Sequence, residues 1–176
     1  IAAVGPAMQR LGGEVCDGFF CHAFTTEKYL REVTIPALER GRAKAGKTME
    51  GFEIMGPSFV ITGTDEQQME QAAAGTRQQI AFYGSTPAYQ GVLEHHGWGD
   101  VQVELNRMSK QGQWDAMADV IDDEMLNTFA VVAEPDRVAG ELLARYGHLG
   151  DRLTFYAPYS SNPDLWGSVI AEIKAG

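Results

Sequence analysis

Four short apolar runs, each cut off by turn residues and followed by a helical pattern, constrain this chain more than any other feature. They are Ile1–Val4 (IAAV), Gly18–Cys21 (GFFC), Glu53–Thr62 (EIMGPSFVIT, with its core at Ser58–Thr62) and Leu153–Ala157 (LTFYA). The runs are continuous rather than alternating, which suits strands covered on both faces. Helical runs lie between them. Pro6–Val15 places Met8, Leu11 and Val15 at helical spacing, with Pro6 at the favoured first position. Thr25 or Thr26 is placed to cap Glu27–Thr34, and Pro36 kinks or restarts that helix before it ends near Ala45 and Gly46. Asp65–Tyr83, Pro135–Tyr146 and Leu165–Lys174 complete the set. Strands alternating with helices predict a parallel α/β sheet with right-handed crossovers.

The stretch from Gly84 to Phe129 breaks this rhythm. Unstructured loops of that length are rare, so an insertion of short helices is expected at about 84–129, running through "WDAMADVIDDEMLNTFAVV". Two architectures accommodate the strands: a small, doubly wound open sheet, or a (β/α)₈ barrel. The barrel typically needs about 250 residues and eight strands. Four strands cannot close it and would leave apolar edges open to pairing. A chain whose first residue is already inside a strand favours half of a barrel.

Charge narrows the partners. The net charge is −10 with a pI of about 4.8, which argues against nucleic acid as a partner. The densest basic stretch holds Arg40, Arg42, Lys44 and Lys47; it reads as the solvated last turn of a helix, where cations suit the dipole. The two cysteines, Cys16 and Cys21, are not in a CxxC pair and read as reduced structural thiols of a cytoplasmic protein. No apolar run approaches a membrane span, so no membrane partner is expected.

The first strand runs into Gly5-Pro6 and then a helix. Free N–H groups and the helix dipole make such a corner an anion site, although a Gly-Pro turn is often only a turn. No GxGxxG is present, so a dinucleotide fingerprint is not supported. The second strand ends at Cys21 and His22, and the carboxyl ends of parallel strands are where ligands bind. There His22 is able to donate a hydrogen bond or move a proton, with Cys21 lining the pocket; the plainer alternative is a packed thiol beside a surface histidine. The aromatics of Phe155–Tyr159, Tyr156 among them, either wall a flat ring or pack a core. His95 and His96 are adjacent and point apart, so no metal site is expected. Asp122, Asp123 and Glu124 read as a helix start, and Trp98 and Trp114 as anchors of the insertion.

"IAAVGPAMQRLGGEVCDGFFCH" followed by "YLREVTIPALERGRAKAGK" resembles the luciferase-like monooxygenase superfamily, and within it the deazaflavin (coenzyme F420)-dependent oxidoreductases. "RQQIAFYGSTPAYQGVLEHHGWGD" is similar to an actinobacterial subgroup of that branch, and "FAVVAEPDRVAGELLARYG" with "DRLTFYAPY" fits the family's closing helix and last strand. The resemblance implies that residues 1–176 are a single partial domain, the C-terminal half of a TIM (β/α)₈ barrel from its fifth strand onward, with about four βα units. It implies hydride transfer between F420 and an unknown organic substrate. The cofactor phosphate would lie on Ala2, Ala3, Val4, Gly5 and Pro6, with Cys21, His22 and Tyr156 in the substrate pocket. The family's catalytic histidine and its acidic partner belong to the first strands, so no catalytic residue is assigned here and the chain alone is expected to be inactive. The residues that grip a sugar phosphate in one branch member have no match.

The expected partners are a small-molecule substrate, the preceding half of the same barrel and further copies of the chain. Three alternatives remain open at this level. One is an FMN-dependent two-component monooxygenase of the same superfamily. Another is a non-catalytic, phosphate-binding half-barrel that dimerises. The third is a flavodoxin-like open sheet.

Overall fold

A computed structural model describes residues 1–175. Its sheet has four strands, β1 (Gly18–Phe20), β2 (Glu53–Ile61), β3 (Ala130–Val132) and β4 (Arg152–Tyr156), and every pairing is parallel. The long strand β2 is the hub. It pairs with β1 at Gly18↔Glu53 to Phe20↔Met55, with β4 at Met55↔Arg152 to Phe59↔Tyr156, and with β3 at Phe59↔Ala130 to Ile61↔Val132.

Two expectations need correction. Ile1–Val4 makes only an isolated bridge, Ala2↔Phe20, because the chain leaves the ladder for the Gly5 turn almost at once. Conversely, β3 falls in residues read above as the tail of a helix. Ala130–Val132 follows helix α7 directly, with no Gly or Pro between them to announce the change. Pairing with β2 decides its conformation.

Helices α1 (Pro6–Val15) and α3 (Ile35–Lys44) cross closely, and glycine makes this possible. A Cβ on Gly13 would lie 2.2 Å from the Leu38 carbonyl oxygen, and one on Gly41 would lie 2.0 Å from that of Arg10. Helix α2 (Glu27–Tyr29) starts at Thr26, whose Oγ1 accepts the Tyr29 N–H at 3.1 Å. It runs through a π-helical turn at Leu30–Thr34 into α3. Pro36 supplies the reason: its ring crowds the carbonyl four residues back and it donates no N–H, so the helix widens rather than breaks.

The basic stretch at the end of α3 is not wholly solvated as expected. Arg42 is buried, donates from Nε to the Thr48 carbonyl at 2.7 Å, and sits 5.1 Å from the centre of the Phe52 ring.

Helix α4 (Glu66–Gly84) is capped by Asp65, which accepts the Gln68 N–H at 2.8 Å. The stretch beyond it carries α5 (Gln90–His95), α6 (Gly99–Lys110) and α7 (Asp123–Phe129), with 3₁₀ turns at Pro87–Tyr89 and Asp115–Val120. Asp122 caps α7 by accepting the Met125 N–H at 2.8 Å. Helices α8 (Val138–Tyr146) and α9 (Pro163–Ala175) end the chain.

Alternation along β2 builds two cores. Phe59 and Ile61 pack with the helices of the 84–129 stretch, whereas Ile54 and Val60 pack with Leu38, Leu142 and Val169 from α3, α8 and α9. No described helix is long and apolar enough to cross a membrane.

Candidate functional site

Parallel register puts Phe20, Met55, Pro57 and Thr154 on one face of the sheet, since each cross-strand pair shares a side and every second residue repeats it. That face walls an open cavity of about 490 Å³. Ala2, Ala3 and Val4 form a second wall, and Tyr83 and Tyr89 from the α4 end and the following 3₁₀ turn close it further. Cys21, His22 and Tyr156 all line this cavity, so the structure brings together the three residues singled out for a substrate pocket.

Strand β1 delivers Cys21 and His22. The Cys21 amide donates to the Met55 carbonyl at 2.9 Å and so extends the ladder one residue beyond Phe20. The chain then turns, and the Phe24 amide donates to His22 Nδ1 at 3.0 Å. With Nδ1 occupied as an acceptor, the neutral ring carries its proton on Nε2. Nε2 lies 3.1 Å from the Tyr89 hydroxyl, and the two rings stack at 4.7 Å. Burial holds the His22 pKa below its ordinary value, which keeps the ring neutral. Burial also pushes the Cys21 thiol up to about 12, so it stays protonated and is a wall group rather than a nucleophile.

On the other side the Tyr83 and Tyr156 hydroxyls lie 3.2 Å apart. Burial first, and then this hydrogen bond, raise the Tyr83 pKa. The remaining aromatics of the β4 end are structural. Phe155 stacks on Trp166 at 5.3 Å behind the sheet. The Tyr159 hydroxyl donates to the Val60 carbonyl at 2.8 Å and accepts the Thr62 N–H at 3.2 Å. Tyr83 and Tyr89 were not foreseen from the sequence: they lie in helical stretches far from any strand end, and only the packing of the α4 end and of the 3₁₀ turn after it carries them to the cavity.

The Gly5 corner stands beside the same cavity. Gly5 has φ +82°, a conformation that favours glycine, and a Cβ there would meet nothing within 4 Å. The first intrahelical bond runs from the Gln9 N–H to the Gly5 carbonyl, so the Ala7 and Met8 N–H groups are free of intrahelical partners. Pro6 has no N–H to offer, and it is exposed, as are Ala7 and Met8. The first turn of α1 contains no acidic residue. Behind the corner, Gly5, Gln9 and Thr25 line a void of about 20 Å³, and Gln9 Oε1 and Thr25 Oγ1 have no hydrogen-bond partner among the described residues.

The other singled-out residues hold the insertion in place. His96 Nε2 lies 2.8 Å from Thr26 Oγ1 and its ring stacks on Trp98 at 4.7 Å, while His95 Nε2 lies 2.8 Å from a Glu32 carboxylate oxygen. Among the described residues, no group of three His, Cys, Asp or Glu side chains is placed to hold a metal ion. Asp123 pairs with Arg77, and Trp114 packs 6.1 Å from the Phe82 ring.

Comparison with known proteins gives four further findings. The family model described as luciferase-like monooxygenase matches residues 1–152. An uncharacterized protein of Mycobacterium tuberculosis is 51% identical over 153 residues, which is 87% of this chain and 45% of that protein. The 5,10-methylenetetrahydromethanopterin reductase of Archaeoglobus fulgidus is 32% identical over 145 residues, 78% of this chain and 41% of the reductase. Among solved structures, the coenzyme F420 dependent tetrahydromethanopterin reductase of Methanopyrus kandleri superposes with a TM-score of 0.67 at 20% identity, covering 88% of this chain and 43% of that one. This chain therefore spans less than half the length of the relatives it matches.

Proposed function

This chain belongs to the luciferase-like monooxygenase family, and on that premise we propose that it forms part of an oxidoreductase moving a hydride between the deazaflavin F420 and an organic substrate. The observation that carries the reading is the placement of a glycine-opened helix corner directly beside a strand-end cavity. The corner Ala2–Pro6 would hold the cofactor phosphate, because the Ala7 and Met8 N–H groups and the α1 dipole favour an anion there. Among the described residues, no carboxylate lines the cavity to oppose it. The bound deazaflavin supplies the hydride chemistry; the protein supplies orientation and a dry wall. In that role Cys21, His22 and Tyr156 shape the substrate side of the cavity.

The test is titration of the protein, expressed from its complete reading frame, with F420 and with FMN. Tighter binding of F420 is expected, together with a loss of about tenfold or more in Gly5→Val, whose side chain fills the corner and strains the backbone. Preference for FMN would move the protein to a flavin-dependent monooxygenase reaction instead.

A further inference from the structure

Gln9 is out of character for its place. It is the first buried residue of α1, 5% exposed, and an apolar side chain would fill that position without needing a partner. Its amide Nε2 donates instead to Thr34 Oγ1 at 3.1 Å, and Thr34 is itself 1% exposed. Thr34 is the last residue of the π-helical turn, in which the Ile35 N–H bonds the Leu30 carbonyl five residues back. Such turns inside α-helices are frequent at functional sites. Here the turn brings a hydroxyl to the crossing of α1 with α3. Gln9 and Thr34 are buried by elements of this chain alone, so the pair is complete without any further segment of the protein.

The crossing is held differently along its length. Farther from Gly5 it rests on the backbone contacts at Gly13 and Gly41 and on the exposed Lys44–Glu14 ion pair at 2.7 Å. Nearer to Gly5 it rests on the Gln9–Thr34 hydrogen bond. Close backbone packing fixes how near two helices lie, whereas a directed hydrogen bond also resists rotation about the helix axis. The Gln9 N–H bonds the Gly5 carbonyl at 3.0 Å, which couples the held side chain to the corner. The ground behind the corner is polar too. Thr25, 6% exposed, lines the small void together with Gly5, Gln9 and Thr34, and its Oγ1 has no partner among the described residues.

We propose that Gln9 and Thr34 are positioning residues: their hydrogen bond sets the rotation of the first turn of α1, and with it the direction in which the Ala7 and Met8 N–H groups meet an anion. This inference rests on the reading of the Gly5 corner as an anion site, and the test separates it from the identity of the cofactor.

The protein from its complete reading frame, labelled with ¹⁵N-alanine and ¹⁵N-methionine, is titrated with inorganic phosphate and with F420 while the Ala7 and Met8 amide signals are followed. Phosphate is expected to move both signals in the unaltered protein. Thr34→Val, which keeps the shape and removes the acceptor, should shift both signals before any ligand is added and weaken both ligands by about five- to tenfold. Thr34→Ser should restore the affinity. Gln9→Met combined with Thr34→Val removes both polar partners, so its urea midpoint should return towards that of the unaltered protein while its affinity stays low. That split separates positioning from support of the fold.

The inference is overturned by unaltered affinity in Thr34→Val, by a Thr34→Ser variant that stays weak, by affinity that recovers with stability in the double variant, or by Ala7 and Met8 signals that phosphate leaves in place. Failure of F420 to bind, with the phosphate pattern intact, would remove the cofactor reading and leave this one standing. F420 that binds the unaltered protein and Thr34→Val equally would do the reverse.

Discussion

Met55 and Phe59 lie on the same face of the same strand, four residues apart, yet they live in different environments. Met55 is half-buried and walls the open cavity, whereas Phe59 is fully buried. The strand does not change between them. What changes is the cover: at Phe59 the face meets Tyr83, Tyr156 and the helices of the 84–129 stretch, with ring centres 6.5 and 5.1 Å away for the two tyrosines. The comparison teaches that the helices packed on this face, rather than the sheet, decide how far along the strand it is sealed within this chain.

Truncating the covered side should have the largest effect. Phe59→Ala should destabilise the protein by about 3–5 kcal/mol, read as a lower urea midpoint, because the sealed site cannot refill the space of the ring. A loss below about 1 kcal/mol would show that the insertion is loosely seated and would break the comparison. Gly13→Ala tests the support behind the sheet. Its new Cβ would fall 2.2 Å from a backbone oxygen, which cannot move without shifting α3. A loss of about 1–3 kcal/mol is expected from such overpacking, with the α1 corner displaced and F420 binding weakened in parallel.

On the open side, Met55→Ala should cost only about 1 kcal/mol or less, since the side chain already meets solvent. Its effect should appear instead in the affinity of apolar ligands.

The smallest effect is set by pH. Burial lowers the His22 and His96 pKa values below their ordinary 6.5. The unfolded chain therefore binds protons more readily than the folded one just below that pH. The stability these two histidines contribute is complete above about pH 6.5 and is lost as pH falls towards their folded values. Urea midpoints between pH 7.5 and 5.5 should drop, and His96→Gln and His22→Gln should each flatten part of the slope. A slope that survives both substitutions would place the pH dependence elsewhere.

Much of the scaffold was legible because local chemistry settles it. Pro6, the Thr26 and Asp65 caps and the apolar runs of β1, β2 and β4 each mark an element on their own residues. Cys21, His22 and Tyr156 could be picked out for the same reason: each lies at the carboxyl end of a recognisable strand. Elements that depend on a distant partner were misread. Ile1–Val4 has the composition of a strand but pairs at one residue, and Ala130–Val132 is extended only because β2 offers it an edge.

By itself, then, the sequence determined an α/β chain of parallel strands, a glycine-opened corner before α1 and a family membership carried by stretches along nearly the whole chain. The first two follow from backbone preferences and hydrophobic period, which act over a few residues at a time, whereas the third rests on the match of residue identities along the chain. Only the tertiary structure decided that Tyr89 meets His22 across 67 positions of chain, that Tyr83 meets Tyr156 across 73, and that Phe59 is sealed while Met55 is not. Hydrogen bonds and burial at that separation depend on where α4 and the helices of the 84–129 stretch come to rest, and no local pattern encodes that position.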